Sequence, residues 1–311
     1  MVAQLGFNCL EFFKEEIQNE SALIKINAVN NIHLIASALG PQRTVNELLP
    51  YISQAVLEPP LCDDEEFLFS MAKQYAVLSE YIDGRDELLI APLEHLAAQD
   101  ETVIRDQAIQ SLCAVVDKKP SLVPEYLVPM VHRLAAKTDF FTVRVSACCL
   151  LPTVYKYCEA DQKPDLRKAY TVFCDDETPM VRRAAANKMR DFISVCDKQD
   201  LSDIIVFYRH LSQEDTEDTI RVACVHTMLV LARAFNAEEN ALHTVSMIKE
   251  AVEDRSWRVR LTFAKNFDQL CDAFGPEIMA SHLMQPFIQL LKDNEQEVRK
   301  EAVRVIEPCL Q

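Results

Sequence analysis

Residues 175–186 read Asp-Asp-Glu-Thr-Pro-Met-Val-Arg-Arg-Ala-Ala-Ala, an acidic turn followed by the start of a helix. Pro179 suits the first helical position, because the N–H that proline lacks would have no partner there. The acids before it lie where the helix dipole favours negative charge. Alone, the stretch predicts one well-formed helix start. It decides the fold because the chain carries eight versions of it.

An aliphatic residue followed by a basic one recurs along the chain, downstream of an acid. The pairs are Ile24-Lys25, Leu68-Phe69 (which lacks the basic residue), Ile104-Arg105, Val143-Arg144, Val181-Arg182, Ile220-Arg221, Val259-Arg260 and Val298-Arg299. Their second residues are spaced by 44, 36, 39, 38, 39, 39 and 39 positions. The acids lie five or six positions before them: Glu20, Asp63, Asp100, Asp139, Asp176, Asp215, Asp254 and Asp293. A constant period of this length is typical of helical repeat arrays.

Each repeat predicts a first helix, a short acidic turn and a second helix with one apolar stripe. In the fifth repeat the stripe is formed by Val181, Ala185, Met189, Phe192 and Val195. A helix pair of this size must stack on its neighbours to bury both stripes. The sequence therefore predicts an all-α fold, an α-solenoid that is a superhelical stack of antiparallel helix pairs. We prefer one array over residues 1–311 to two globular domains, because the unbroken period leaves no linker. Its eight repeats have the approximate bounds 1–40, 41–83, 84–120, 121–159, 160–198, 199–236, 237–275 and 276–311.

The composition excludes several classes of function. The chain has 48 acidic and 32 basic residues, a formal charge of −16, which argues against a broad nucleic-acid-binding surface and favours partners with basic patches. Eleven cysteines without a Cys-x-x-Cys motif predict buried thiols in a reducing compartment, so we expect a cytoplasmic and also a nuclear location. No apolar run reaches the length of a membrane span, and the N-terminal residues are acidic where a signal peptide is basic.

No residue pattern predicts catalysis. The seven histidines have no metal-ligand spacing, and the phosphate-binding and dinucleotide-binding glycine motifs are missing from the sequence. The neighbours Cys148 and Cys149 are better explained as core residues than as a redox pair, and the acids of residues 63–66 have no apolar pocket that would separate their pKa values. We therefore predict a protein that is not an enzyme, with no catalytic residues, no metal and no cofactor.

The repeated acids and arginines are predicted to be structural. Each acid is placed to cap the second helix, and each arginine can reach that acid or the acid of the adjacent repeat. Repeated along the stack, such pairs would form a ladder that fixes the orientation of the repeats. The predicted ladder residues are Asp139, Arg144, Asp176, Arg182, Asp215, Arg221, Asp254, Arg260, Asp293 and Arg299.

A period near 39 with Asp-x(4–5)-Val-Arg at the second helix resembles the HEAT repeat. The stretches that begin at Phe141, Asp176 and Glu253 are similar to the fourth, fifth and seventh repeats of the scaffolding A subunits of protein phosphatase 2A. Further matching stretches begin at Ala38, Glu47, Glu101 and Phe274, in the order of that family. The chain departs from the family pattern at Leu68-Phe69, and at Phe140, where the family has a tryptophan.

The resemblance implies a non-catalytic scaffold of a protein serine/threonine phosphatase 2A-like complex. Its partners would be regulatory (B-type) subunits, held by the ridge of intra-repeat turns. In the family the last repeats hold the catalytic subunit, so eight repeats that match the first ones are not expected to bind it. Two alternatives stay open: another HEAT adaptor, such as a transport receptor, and a short competitor that sequesters regulatory subunits.

Candidate partner-binding residues are those in the turns that the repeat pattern does not require. Trp257 and Arg258 are residue types that dominate interface energies, although Trp257 could instead pack over its own repeat. Phe140 and Phe141 are adjacent, and one of the two rings could instead fill the core between repeats. Arg183 is surplus to the ladder and is either a partner contact or a solvated charge. The full set is Asp100, Glu101, Phe140, Phe141, Glu177, Pro179, Met180, Arg183, Trp257 and Arg258, of which Glu177, Pro179, Met180 and Arg183 match the family's regulatory-subunit surface.

If the array ends at Gln311, its last helix, residues 297–310, would present an uncapped face with Ala302, Val303, Val305 and Ile306. Terminal repeats usually need a polar cap. The sequence then predicts marginal stability or self-association at that end.

Overall fold

The computed structural model describes residues 8–136 and 140–306, except for the side chain of Glu214. Within those ranges the regular elements are all helical, and no strand is formed. The chain divides between Lys163 and Pro164 into two compact units. We describe each unit by itself, and the predicted repeat bounds stay a prediction.

The first unit contains the helix pairs of the first four repeats. Its helices are α1 (Cys9–Ile17), α2 (Ala22–Asn30), α3 (Ile32–Leu39), α4 (Pro41–Arg43), α5 (Leu49–Ala55), α6 (Glu65–Leu78), α7 (Ile90–Leu96), α8 (Thr102–Lys118), α9 (Val128–Ala135) and α10 (Phe141–Tyr157). The second helices α2, α6, α8 and α10 pack side by side, each on the next.

The second unit contains the pairs of the last four repeats. Its helices are α11 (Lys163–Cys174), α12 (Pro179–Ile193), α13 (Leu201–Arg209), α14 (Asp218–Ala234), α15 (Ala237–His243), α16 (Val245–Val252), α17 (Trp257–Lys265), α18 (Phe267–Ile278), α19 (Met284–Leu291) and α20 (Gln296–Arg304). Again the second helices α12, α14, α17 and α20 pack in sequence.

Large apolar side chains at helical spacing form the core of each unit. In α12, Val181, Ala185, Met189 and Phe192 are buried as the predicted stripe requires, whereas Val195 lies beyond the helix and is only half-buried. The Phe192 ring stacks on Tyr170 of α11 at 4.3 Å, which joins the two helices of the pair. Full burial of an aromatic side chain contributes about 1.5–3 kcal/mol, so these contacts set the helix positions.

Three first helices contain a proline that follows a widened π-type turn. Residues 44–48 precede Pro50, residues 123–127 precede Pro129 and residues 279–283 precede Pro286. Proline cannot donate to the carbonyl four residues earlier, and its ring crowds that carbonyl. In all three helices this carbonyl lies within the π-type turn, so the extra residue accommodates the missing hydrogen bond.

Two second helices break at an asparagine. Asn31 separates α2 from α3 and Asn266 separates α17 from α18, with nearly the same backbone angles. In both, the side-chain amide donates to the carbonyl four residues earlier, at 2.8 Å for Asn31 and 2.7 Å for Asn266. The amide thereby satisfies a carbonyl at the break. No single described helix is long and apolar enough to cross a membrane, although the bent pair α2–α3 could by length and composition alone.

The last helix departs from the sequence expectation. Ala302 and Val305 are buried, Ile306 is half-buried, and Val303 is exposed. Since α17 and α19 both pack on α20, two of the four residues expected on an open face belong to the core of the eighth repeat. Residues 307–310 of the predicted helix lie outside the described residues.

Candidate interaction surface

The surface that we call the turn ridge consists, in each unit, of the intra-repeat turns and the first two residues of each second helix. An aliphatic or aromatic residue occupies the third helical position of every second helix. It is buried in most of them, from Phe67 in α6 to Val298 in α20, but Val143 in α10 is half-buried and Ile24 in α2 is 37% exposed. The fourth position carries the ladder residue. The first two positions are exposed in most second helices, but Thr142, Asp218 and Trp257 are half-buried.

In the second unit the ladder arginines link one turn to the next. Nε of each arginine donates to the carboxylate of the following repeat: Arg182–Asp215 at 2.6 Å, Arg221–Asp254 at 2.8 Å and Arg260–Asp293 at 2.6 Å. A second nitrogen, Nη2, binds the other carboxylate oxygen at 3.0–3.3 Å. Such bidentate pairs fix direction as well as distance, so they hold successive turns in register.

The same arginines also bind their own turn. Nη1 of Arg182, Arg221, Arg260 and Arg299 donates to the backbone carbonyl six residues earlier, at 2.6–2.8 Å. The residue six positions earlier is in each case the repeated aspartate of that turn. One guanidinium group therefore joins the backbone of one turn to the side chain of the next.

The ladder acids accept from a different N–H group than the predicted helix cap would. Each Oδ1 accepts the N–H two residues later: Thr178 on Asp176 at 2.8 Å, Glu217 on Asp215 at 2.9 Å, Ser256 on Asp254 at 2.7 Å and Glu295 on Asp293 at 2.8 Å. These N–H groups belong to the N-cap residue and not to the first helical turn. The acid closes an Asx-type turn before the helix. In Asp215, Asp254 and Asp293 the other oxygen, Oδ2, accepts from the arginine Nε, while Oδ1 is shared between the turn N–H and the arginine Nη2.

At Asp293, the hydrogen bonds to the carboxylate together affect its pKa more than burial does. Burial alone would raise the pKa of this carboxyl, but hydrogen bonds from Arg260 and from the Glu295 N–H lower it below its usual value. The pKa of the Arg260 guanidinium is raised, chiefly by its hydrogen bond to Asp293. Both groups are therefore charged at neutral pH.

The first unit has a different ladder. Lys25 Nζ lies 2.5 Å from Asp64, which is itself the N-cap of α6 and accepts the Phe67 N–H at 3.0 Å. The next second helix has Leu68, buried, at its fourth position. The predicted alignment of Leu68-Phe69 with the repeated pair was wrong by one residue, because α6 begins one residue earlier than that alignment requires.

The third repeat also departs from the pattern by one position. Arg105 is buried and its Nη1 donates to the carbonyls of Gln99 and Asp100, while Nη2 donates to the Thr102 hydroxyl at 3.0 Å. The residue six positions before Arg105 is thus Gln99, which has no carboxylate. The Asp100 side chain is exposed and accepts no hydrogen bond from the described residues. In the fourth repeat Arg144 is buried at the fourth position, and Asp139 lies outside the described residues.

The predicted contact residues of the fifth repeat lie together on the turn ridge. Pro179 and Met180 are the first two residues of α12, both exposed, and Glu177 is exposed in the turn before them. Arg183 Nη2 lies 2.9 Å from the Met180 sulfur. Arg182 faces the ladder and Arg183 faces solvent, as their separation of about 100° around a helix requires.

In the seventh repeat, Trp257 and Arg258 form a stacked pair. Trp257 is half-buried at the first position of α17, and the Arg258 guanidinium carbon lies 5.2 Å from its ring centre. Arg258 Nη1 also lies 3.3 Å from Asp218 of the sixth repeat, which accepts the Ser256 hydroxyl at 2.9 Å. The Ser256 hydrogen bond is the main cause of the lowered pKa of Asp218. Asp218 thus fixes Arg258, which in turn covers one face of the half-buried indole.

The candidates of the first unit lie in two separate turns. Asp100 and Glu101 are exposed, and Glu101 is the N-cap of α8. Phe140 is the N-cap of α10 and is 61% exposed, whereas the following Phe141 is 39% exposed. The structure thus places the ten candidates in four separate turns, two in each unit.

Two apolar residues of the turn ridge were missed by the sequence analysis. Leu23 and Val103 are the second residues of α2 and α8, and they are 81% and 60% exposed. Met180 occupies the same position of α12. The signal was available, since each directly precedes the aliphatic residue of the repeated pair. Among the described residues no group of histidine, cysteine and acidic side chains is placed to hold a metal ion.

Solved structures share the fold. A chain from the structure of Kap95p bound to RanGDP superposes with a TM-score of 0.71 at 12% identity, over 98% of this chain and 41% of that one. Importin-β in an ammonium sulfate condition gives a TM-score of 0.67 at 11% identity, over 97% of this chain and 41% of that chain. These similarities confirm the α-solenoid fold and say nothing further about function.

Sequence comparison identifies the relatives. The chain is 34% identical over 271 residues to the regulatory A subunit of protein phosphatase PP2A from Schizosaccharomyces pombe, covering 85% of the chain and 45% of that protein. It is 36% identical over 282 residues to the protein phosphatase 2A scaffold subunit of Dictyostelium discoideum, covering 90% and 47%. The human beta isoform of the 65 kDa regulatory A subunit of serine/threonine-protein phosphatase 2A is 37% identical over 186 residues, covering 59% and 30%.

No family model matches the chain. The chain spans about half the length of the first two relatives, with 45% and 47% covered. Its sequence identity nevertheless extends over most of its own residues, and the resemblance read from the repeats is confirmed. The chain is a homologue of the HEAT-repeat regulatory A, or scaffold, subunits of protein phosphatase 2A.

Proposed function

We propose that the chain is a non-catalytic scaffold of a phosphatase 2A-type complex, and that it binds B-type regulatory subunits through its turn ridge. The names of the relatives support the scaffold role, since all three are regulatory or scaffold subunits. The same names imply phosphatase subunits as partners. The choice of B-type subunits rests on the resemblance of the fifth-repeat turn to the family's regulatory-subunit surface.

The choice of the turn ridge as the binding surface rests on one observation. The first two positions of the second helices repeatedly hold large apolar residues: Leu23, Val103, Phe141 and Met180, which are exposed, and Trp257, which is half-buried. Exposed apolar residues at such a recurrent position indicate a protein contact. In the second unit the ladder fixes these turns, so a partner meets a preorganised surface and loses little entropy on binding.

Exposed charges beside the apolar residues would set specificity. Arg183 and Arg258 flank Met180 and Trp257 in the second unit, and Asp100 and Glu101 flank Val103 in the first. We infer that the partner surface has apolar pockets. Acidic residues of the partner would lie opposite Arg183 and Arg258, and basic residues opposite Asp100 and Glu101. Such rim charges mainly steer association and exclude wrong partners.

The experiment is a direct binding measurement with purified proteins. The immobilised chain is exposed to purified B-type regulatory subunits, and affinities are read by biolayer interferometry. We expect Trp257→Ala to weaken binding by about thirtyfold, which corresponds to a contact residue of about 2 kcal/mol. Arg183→Glu should weaken it through charge repulsion and slow association at low salt.

Leu242→Ala is the matched control, because Leu242 is 70% exposed on α15, a first helix away from the turn ridge. It should bind as the unchanged chain does. Failure of every regulatory subunit to bind the unchanged chain would contradict the scaffold proposal. Binding that is equal for Trp257→Ala, Arg183→Glu and Leu242→Ala would contradict the assignment of the surface.

A further inference from the structure

The sixth and seventh turns of the second unit are joined by contacts that do not belong to the ladder. The ladder pair at this junction is Arg221 with Asp254, as at the neighbouring junctions. In addition Asp218, the first residue of α14, binds two residues of the seventh turn. The sequence analysis did not select Asp218 as a candidate residue.

One carboxylate oxygen of Asp218 holds both neighbours of Trp257. Oδ2 accepts the Ser256 hydroxyl at 2.9 Å and a hydrogen bond from Arg258 Nη1 at 3.3 Å. The Ser256 hydroxyl oxygen in turn accepts the Arg258 N–H at 3.3 Å, as the N-cap of α17. The residues on either side of the indole are therefore both bound to the preceding repeat.

Arg255 adds a second link between the same two turns. Its Nη2 donates to the backbone carbonyls of Asp215 and Thr216, at 3.2 Å each. Arg221 Nη1 donates to the same two carbonyls from within the sixth repeat, at 2.8 and 3.4 Å. Arginines of two successive repeats thus fix the backbone of one turn.

The other described junctions of the second unit cannot form the Asp218 contact. The residue in the place of Asp218 is Pro179 in α12 and Trp257 in α17. Neither side chain carries a hydrogen-bond acceptor. Within the described second unit, the contact is therefore specific to the junction that leads to Trp257.

The stack of Arg258 on the indole needs a restraint of this kind. The Arg258 side chain is 61% exposed, and its guanidinium carbon lies 5.2 Å from the centre of the Trp257 ring. A cation–π contact at an exposed site is weak, and it is of the same order as the cost of ordering a long side chain. The Asp218 carboxylate supplies a second contact that keeps the guanidinium over the ring.

We propose that Asp218 is a positioning residue of the turn ridge, which acts through Arg258 to hold the Trp257 indole in place for a partner. The identity of that partner rests on the proposed function, whereas the arrangement itself belongs to the free chain. A side chain that is ordered before binding loses less entropy when a partner contacts it. Asp218 therefore contributes to binding without having to touch the partner.

The free chain offers a direct test. Trp257 is the only tryptophan of the sequence, so intrinsic fluorescence reports on this indole alone. In Asp218→Ala the guanidinium loses its carboxylate, and the face of the indole that it covers becomes accessible. We expect a larger acrylamide quenching constant and an emission maximum at longer wavelength. The matched control is Asp191→Ala, which removes a surface pair with Lys188 near the C-terminal end of α12 and should leave both readings unchanged.

A double-mutant cycle separates positioning from a merely structural role. If Asp218 acts through Arg258, Asp218→Ala should add no further quenching to that of Arg258→Ala. Urea denaturation followed by far-UV circular dichroism checks that each variant is folded, since Arg221 of the ladder also interacts with Asp218. The proposal is overturned if the two changes in quenching are additive, or if Asp218→Ala is quenched as the unchanged chain is.

Affinity for purified B-type regulatory subunits measures the consequence for binding. We expect Asp218→Ala to weaken binding by about fivefold, less than Trp257→Ala does, because the indole is still present. Binding by Asp218→Ala that equals binding by Asp191→Ala would contradict a role of Asp218 in recognition. If no regulatory subunit binds the unchanged chain, the proposed function fails, and the fluorescence cycle still decides whether Asp218 positions the indole.

Discussion

The two units solve the same stacking problem with different chemistry. In the second unit three successive junctions of the described repeats carry a bidentate arginine–aspartate pair. In the first unit the junction between the first two repeats has a lysine on an N-cap aspartate, and the next has Leu68 and Gln99 at the ladder positions. The helices pack in the same order in both units. Repeats can therefore stack without the arginine–aspartate pair, and the ladder adds something else.

What the ladder adds is orientation. A buried ion pair contributes little net stability, because desolvation offsets the attraction, but removal of one partner is costly. In a linear array each repeat contacts only its neighbours, so a pair at one junction fixes only that junction. We infer that the turn ridge is held more firmly in the second unit than at the junction of α6 with α8, where the ladder pair is missing.

The largest expected effect comes from the centre of the ladder. Arg221 is 3% exposed, and Arg221→Leu leaves the Asp254 carboxylate buried without its partner. We expect a loss of about 3 kcal/mol in the free energy of unfolding, measured by urea denaturation and far-UV circular dichroism. Arg133→Leu is the control, because Arg133 pairs with Glu94 at the surface and should cost less than about 1 kcal/mol.

A second change should recover part of that loss. Asn19 accepts the Ser21 N–H at 2.9 Å, so asparagine can close the same turn without a charge. Adding Asp254→Asn to Arg221→Leu should therefore restore about 1–2 kcal/mol. A double variant that is less stable than Arg221→Leu would show that the carboxylate has another partner and that the ladder explanation is wrong.

The reverse exchange builds a ladder pair in the first unit. Leu68→Arg alone buries an unpaired charge and should cost about 2 kcal/mol. With Gln99→Asp the pair can form, and we expect a coupling free energy of about 1 kcal/mol from the double-mutant cycle. Urea denaturation of the four proteins measures it. Strict additivity would mean that this junction cannot adopt the ladder geometry.

The smallest effect is a pH dependence. The pKa of Asp293 is lowered in the folded protein, so its pairing stabilises the fold above the unfolded-state pKa of about 3.9. This stability is lost as pH falls through the lower folded-state pKa. In Arg260→Leu the acid-dependent part of the unfolding free energy should shrink by about 1 kcal/mol between about pH 6 and pH 2.

Lys25→Met gives the comparison with the first unit. Burial acts to raise the pKa of Asp64, but hydrogen bonds from Lys25 and the Phe67 N–H outweigh it, so this pKa is also lowered. The Asp64 side chain is more exposed than that of Asp293, at 24% against 6%, so solvent screens the pair more. Thermal melts of both variants across the same pH range should show the smaller change for Lys25→Met.

Helix periodicity made most of the second unit predictable. The arginines that precede Asp215, Asp254 and Asp293 by 33 residues bind them as a ladder requires. The first unit was less predictable. The sequence alone does not show that an acid five residues before the arginine takes a different place in the turn from an acid six residues before it. At a helix start, a shift of one position changes the direction of a side chain by about 100°. The Asp100 carboxylate therefore faces solvent.

The sequence by itself determined the all-α repeat, the apolar stripe of each second helix and the positions of the ladder arginines, because these depend on local periodicity. Only the tertiary structure decided which acid each arginine binds, that Arg258 stacks on Trp257, and that Asp218 binds both neighbours of Trp257. Those outcomes depend on the length of each turn and on the distance between helices of different repeats. Neither quantity is encoded in the spacing within one repeat.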